Sequence, residues 1–349
     1  MPNIPFFDGH NDTLLKLWMA AGTEKERPFI EGMAGAHIDL PRARAGGMAG
    51  GFFAIFPPPL PSGAQSNPGS SVALAETLPP QLAWADAQAS TQGMASILLR
   101  LEQAGALAIC RSAEDVRGAI AAGTLASIFH IEGAEAIDTD LRALDVLYAA
   151  GLRSLGLVWS RQNAFATGVP FRHNVDPDIG PGLTDAGKDL VRACNRMGVM
   201  LDVSHLNAAG FRDVAALSDK PLVATHSNVH AICPHARNLV DWQLAAIAES
   251  GGVVGLNFAV GFLRPDGKFI ADTDIEVMVR HVDALVEALG EDGVALGSDF
   301  DGAMMPNAIG DVRGVQILLQ ALLDKGYGEA LVGKIAMRNW MSVIETVIG

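Results

Sequence analysis

Five apolar runs in this chain stop on a residue type that binds metal ions or carries protons. Phe6-Phe7-Asp8-Gly9-His10-Asn11-Asp12 delivers a histidine and an aspartate, and Ile128-Phe129-His130-Ile131-Glu132-Gly133 delivers a glutamate. Met200-Leu201-Asp202-Val203-Ser204-His205 and Val223-Ala224-Thr225-His226 each end on a histidine, and Ala295-Leu296-Gly297-Ser298-Asp299 on an aspartate. One polar strand end carries little information. Five of them, spread along the chain, describe a site assembled from many strand tips. That is how a (β/α)8 TIM barrel builds an active site, on the C-terminal rim of its strands.

The rest of the chain fits that architecture. Strand-like runs alternate with helix-like stretches, the pattern of a parallel α/β fold. Eight core strands are expected at residues 4–8, 51–56, 126–131, 154–159, 199–203, 221–225, 253–258 and 294–298. Their apolar runs are nearly continuous, as strands buried on both faces require. Helices are expected at 71–104, 138–150, 184–197, 208–217, 241–250, 273–289, 314–324 and 328–347. Residues 107–110 form a small extra strand followed by a helix at 112–122, and 37–40 another short strand. There is no internal repeat and no dividing linker, so residues 1–349 are expected to form one domain. Loops 57–70, 161–182 and 261–272 follow core strands and should project from the catalytic rim.

Composition removes several function classes. Lys and Arg total 25 against 39 Asp and Glu, a net charge of −14, which disfavours nucleic acid and anionic lipid as partners. Cys110, Cys194 and Cys233 show no CxxC spacing, so a thiolate metal site is not expected and a reducing compartment is. The amino terminus has no basic segment leading into an apolar one, and no apolar run is long enough to span a bilayer. The expectation is a soluble cytoplasmic protein, alone or as a homodimer.

His10 and Asp12 lie two apart in extended chain, so both point to one side and can grip one ion. Glu132 has two oxygens and can bridge two metals, which an imidazole cannot do. His205 and His226 end neighbouring strands, close enough to share a cation. Asp299 ends the last strand, beside the first if the barrel closes, and could bind metal or take a proton from water. Imidazole with carboxylate suits zinc, iron, manganese or nickel; zinc is the first choice for hydrolysis without redox chemistry. Three histidines and three carboxylates exceed the needs of a single catalytic zinc, so two ions fit better than one. Arg237, eleven residues after His226, either holds a substrate carboxylate or is an ordinary pairing arginine. His130 should point into the barrel as a hydrogen-bonded core histidine. His37, His173, His230, His235 and His281 read as loop or helix residues. Asp301 either orders the rim or caps the following turn.

In this order and spacing the motifs resemble the membrane dipeptidase (renal dipeptidase) family of binuclear zinc peptidases. The resemblance runs from Asp8-Gly9-His10-Asn11-Asp12 to Gly297-Ser298-Asp299-Phe300-Asp301-Gly302, through Ile131-Glu132-Gly133, Asp202-Val203-Ser204-His205, Thr225-His226-Ser227 and Arg237-Asn238. It implies His10 and Asp12 on one zinc, His205 and His226 on the other, and Glu132 bridging both. It also implies Arg237 as the clamp on a substrate carboxylate and Asp299 as the catalytic group that manages the proton of a bridging hydroxide. The implied reaction is hydrolysis of a short peptide with a free carboxylate, a dipeptide and plausibly an L,D-dipeptide. The better-known members place a histidine where this chain has Trp159, and an indole can donate a hydrogen bond but cannot become a cation. That departure keeps two rivals open: an amidohydrolase acting on acyl-amino acids or lactones, and a metal-binding homologue impaired in catalysis. Retention of Asp299 argues against the second.

Overall fold

Strands that read as continuous apolar runs have no face to give to water, so both faces must be covered. The structure, a computed structural model describing residues 3–20, 22–58 and 78–349, does this with a closed parallel barrel wrapped in helices. Its strands are β1 (Phe6–Asn11), β2 (Met48–Ile55), β3 (Leu107–Ile109), β4 (Leu125–Glu132), β5 (Leu152–Gly156), β6 (Met200–Asp202), β7 (Val223–Ser227), β8 (Val253–Leu256) and β9 (Val294–Leu296). Pairing runs β2-β1-β9-β8-β7-β6-β5-β4, and β2 also pairs with β4, which closes the ring. β3 stands outside it. It pairs with residues 125–127 of β4, along the edge that β5 takes over from Phe129 onward.

All eight expected core strands are present; those expected at 4–8 and 221–225 run two or three residues later, at Phe6–Asn11 and Val223–Ser227, and one is displaced in a way that matters for the site. The strand expected at 154–159 starts at Leu152 and ends at Gly156, so Trp159 lies in the loop beyond it. The stretch 37–40 is not a strand. Asp39 accepts a hydrogen bond from the Arg42 backbone N–H and caps a helix, Leu40–Gly46, with Pro41 in its first turn. That is a start signal written in the sequence. The helix expected over 71–104 begins at Trp84; residues 71–77 lie outside the described residues, as does most of the loop expected at 57–70. The last helix is broken into Glu329–Gly333, a wide π-turn at Lys334–Arg338, and Asn339–Val347. Just after that turn Asn339 Nδ2 donates to the Val294 carbonyl and Trp340 Nε1 to that of Leu296, so the helix is docked on β9. Among the described residues no helix is long and apolar enough to cross a membrane.

Inside the barrel, the two periodic faces of each strand do different work. On β4, Phe129 and Ile131 pack outward against helices, while Ala126 and Ile128 join an inner floor with Phe7, Phe52, Met200, Val223, Val253 and Trp340. His130 and Glu132 continue that inner face upward. The floor is therefore apolar and the rim polar along the same strand.

The seam between the first and last strands is held by a buried carboxylate. Asp8 accepts from the Ser298 backbone N–H at 2.7 Å and from its hydroxyl at 2.9 Å. Above it the Asp299 N–H donates to the His10 carbonyl and the Asp12 N–H to that of Phe300. Across the barrel, β7 comes close to β1 and β9. A methyl group on Gly9, Gly255 or Gly297 would fall within 3.0 Å of the Thr225 carbonyl oxygen. Gly9 on β1, Gly255 on β8 and Gly297 just past β9 thus let β7 lean inward and carry His226 toward His10. Gly297→Ala should therefore cost about 1–3 kcal/mol or more by overpacking, read as a lowered denaturation midpoint together with weakened metal uptake. Wild-type values for both would show that the close approach is not needed.

Candidate active site

The strand tips meet as their spacing implied. His10 Nε2 lies 3.7 Å from Asp12 Oδ2 and 3.8 Å from Glu132 Oε1. The same Glu132 oxygen is 2.8 Å from His205 Nε2 and 3.4 Å from His226 Nε2. The Nε2 atoms of His205 and His226 are 3.1 Å apart, and the rings of His10 and His226 stack at 3.7 Å. Donor atoms of His10, Glu132 and His226 fall within 4.8 Å of one another, as do those of His10, Asp12 and Asp299. All but Asp299, which is partly covered, are buried.

This donor set fits a cation. Both ring nitrogens of His10 and Oδ1 of Asp12 are buried without a hydrogen-bond partner among the described residues. Buried carboxylates and imidazoles in that condition are costly unless a positive charge is shared among them. Nitrogen and oxygen donors without sulfur match the borderline divalent metals. The electrostatics agree. Burial alone would lower the His10 pKa, but Glu132, Asp12 and Asp299 together outweigh it and raise it to about 10. Burial lifts Glu132 well above the usual carboxylate range and raises Asp299 as well. Burial, with the positive charge of Arg237 and His10, holds His205 and His226 well below the usual imidazole range. They stay neutral, the form in which an imidazole binds metal.

A second set of side chains aims the first. Thr225 Oγ1 donates to Asp202 Oδ2 at 2.6 Å and lies 2.8 Å from His226 Nδ1. A hydroxyl whose proton is given to a carboxylate can only accept from the ring. His226 therefore carries its proton on Nδ1 and turns the Nε2 lone pair to the cluster. His205 Nδ1 pairs with Ser160 Oγ at 2.8 Å. His130 sits below, with Nδ1 2.9 Å from Ser154 Oγ and Nε2 3.6 Å from Asp202; burial lowers its pKa to about 3. It is a hydrogen-bonded core histidine, as expected. His205 and Asp299 both have left-handed backbone, φ 66° and 62°. For residues with a Cβ that conformation is uncommon and concentrates at functional sites.

The chain matches the membrane dipeptidase family, peptidase family M19, over residues 1–348. It belongs to that family. Among solved structures it is similar to a dipeptidase AC, a family M19 metallopeptidase, with 49% identity and a TM-score of 0.93 over 99% of each chain. It is equally similar to a metallopeptidase from Rhodobacter sphaeroides liganded with a phosphinate mimic of the dipeptide L-Ala-D-Ala, with 48% identity and a TM-score of 0.94 over 99% of each chain. An uncharacterized protein from the pqqA 5′ region of Klebsiella pneumoniae is 48% identical over 244 residues, 70% of this chain and 90% of that one.

Around this donor cluster the rim segments form a wall. Trp159, half-buried, lies with its ring 4.9 Å from Phe56, 5.2 Å from Phe171 and 6.1 Å from His205. Phe171, from the loop at 161–182, stacks on Phe262 at 5.8 Å and 6°; Phe262 lies in a short helix, Val260–Leu263, so the loop expected at 261–272 begins only after it. Arg237 is buried beside them, with Nη2 donating to the His226 carbonyl at 2.9 Å and Nη1 to Ser227 Oγ at 3.3 Å. Its Nε is buried with no partner among the described residues. Asp301 orders the rim by accepting from the His37 and Ile38 N–H groups. His281 is structural: Nδ1 accepts from the Val229 N–H and Nε2 faces the Leu263 carbonyl. Sequence reasoning missed Asn257, whose Nδ2 donates to Asp299 Oδ2 at 2.9 Å. It too ends an apolar run, Val253-Val254-Gly255-Leu256, but an amide is not a metal-ligand type and drew no notice.

Thr225→Val keeps the shape of the side chain and removes the bridge between Asp202 and His226. Zinc affinity, read by competition with a chromogenic chelator, should fall about 10–100-fold. A change of less than about twofold would mean that Thr225 does not orient His226.

Proposed function

We propose that the protein hydrolyses dipeptides bearing a free carboxylate, using two zinc ions held by His10, Asp12, Glu132, His205 and His226. The observation that carries this reading is the position of Glu132. One of its oxygens is within 3.8 Å of three separate imidazoles, which suits a carboxylate shared between two ions. When bound, the ions would lower the pKa of water toward neutrality and polarise a peptide carbonyl.

The chain's own groups do the rest. Asn257 occupies Oδ2 of Asp299, which leaves the other oxygen to accept a proton from the attacking water and return it to the leaving amine. Arg237 uses one hydrogen on each terminal nitrogen for Ser227 and the His226 carbonyl. Its Nε–H and the remaining terminal hydrogens are left for a substrate carboxylate, which a guanidinium can take in a two-point fork. The aromatic wall of Trp159, Phe171 and Phe262 excludes water from one side. The bound dipeptide mimic in the Rhodobacter sphaeroides relative supports a dipeptide substrate, and its sequence makes L-Ala-D-Ala the first compound to assay.

Asp299→Asn should retain bound zinc while kcat falls about 10²–10⁴-fold, because an amide cannot accept the proton. Loss of metal, with activity restored by excess zinc, would make Asp299 a ligand instead. Arg237→Lys should raise KM for dipeptides far more than it changes kcat, since a point charge cannot copy the fork. Equal cleavage of dipeptides and their carboxamides by the wild type would remove the clamp from the account.

A further inference from the structure

His235 lies in the same wall as Arg237 and has no part in the chemistry described so far. It is buried, with its ring centroid 4.7 Å from that of Phe262 and 6.5 Å from that of Phe171. The Arg237 guanidinium lies over the same Phe262 ring, 5.5 Å from its centroid. The Arg237 backbone N–H donates to His235 Nδ1 at 3.1 Å. A ring nitrogen that accepts carries no proton, so the neutral ring has its hydrogen on Nε2. Burial and the neighbouring guanidinium lower the His235 pKa to about 3, which keeps the ring neutral. Among the described residues Nε2 has no hydrogen-bond partner, and it is not among the polar atoms sealed from solvent. The ring is fixed from several sides. The 173 and 235 backbones form an antiparallel bridge, the Ala236 N–H donates to the Arg172 carbonyl, and His173 Nε2 meets the Pro265 carbonyl at 3.0 Å.

We infer that His235 is a second substrate-binding residue, whose Nε2–H joins the buried Nε–H of Arg237 in holding the carboxylate end of the substrate. The inference rests on the proposed hydrolysis of carboxylate-ended dipeptides. Two donors of different kinds, a cation and a neutral N–H, set against the stacked Phe171 and Phe262 rings, form a subsite for a carboxylate flanked by an uncharged side chain. A second negative charge at that end would meet aromatic faces, which repel anions.

Two substitutions separate this role from a purely structural one. Asn places an acceptor where Nδ1 stands, preserving the bond from the Arg237 N–H but lacking the reach of Nε2. Gln reaches the position of Nε2 with a donor but does not reproduce Nδ1. The zinc-loaded wild type, His235→Asn and His235→Gln are titrated calorimetrically with a phosphinate analogue of L-Ala-D-Ala and with its carboxamide. L-Ala-D-Ala hydrolysis is measured alongside. The wild type should hydrolyse the dipeptide and prefer the carboxylate analogue. His235→Gln should keep that preference within about threefold, and His235→Asn should lose about tenfold or more, the scale of one hydrogen bond to a charged group. Equal behaviour of the two variants, or the reverse order, overturns the role of His235 while leaving the dipeptidase reading intact. Absence of dipeptide hydrolysis by the wild type overturns both.

Discussion

Oε1 of Glu132 lies within 3.8 Å of the Nε2 atoms of His10, His205 and His226, and the geometry of the rim is built around that convergence. With Asp12 and Asp299 beside His10, the arrangement concentrates negative charge and lone pairs in a largely buried pocket. Only a shared positive charge makes such a cluster affordable. The barrel brings the groups there by ordinary means: a β4 strand whose inner face turns from apolar to polar, and a β7 strand leaning inward past three glycines. Thr225 serves both ends of this plan. Its carbonyl needs the glycine-lined space, and its hydroxyl aims His226.

Arg237, the proposed carboxylate clamp, is bonded directly to the strand that carries His226. Arg237 donates to the backbone carbonyl of His226 and to Ser227 at the end of β7. The guanidinium is thus tied to the strand end that carries His226. Its neighbours Phe262, in the short helix Val260–Leu263, and Phe171, in a rim loop, are joined by the aromatic stack, and His173 of that loop reaches the Pro265 carbonyl. In the proposed reading, the carboxylate end of a substrate would meet segments that follow β5, β7 and β8.

Much of this was legible in the sequence, because it follows from period and position. Eight buried strands announce themselves as apolar runs, and residues at their tips must face the rim. His10, Asp12, Glu132, His205, His226 and Asp299 could be named on that ground and were found together. What stayed hidden depends on backbone excursions that no period records. His205 and Asp299 reach the cluster through left-handed backbone, and Trp159 proved to be a loop residue because β5 ends at Gly156. Ser160 meets His205 through that same loop. Asn257 had the strand-tip signature but the wrong chemistry for a search tuned to ligands. Asp39, with Pro41 just beyond, spells a helix start at the end of the stretch 37–40 expected as a strand. The wide turn before Asn339 likewise precedes a docking contact on β9 that no local pattern in the sequence marks.

The central claim is that one buried carboxylate is shared between two ions, and metal stoichiometry tests it most directly. Protein stripped by chelator and titrated with zinc under calorimetry should saturate at two equivalents per chain, and Glu132→Gln should retain at most one tight equivalent. Saturation of the wild type at one equivalent, or two tight equivalents undisturbed in Glu132→Gln, would contradict the account.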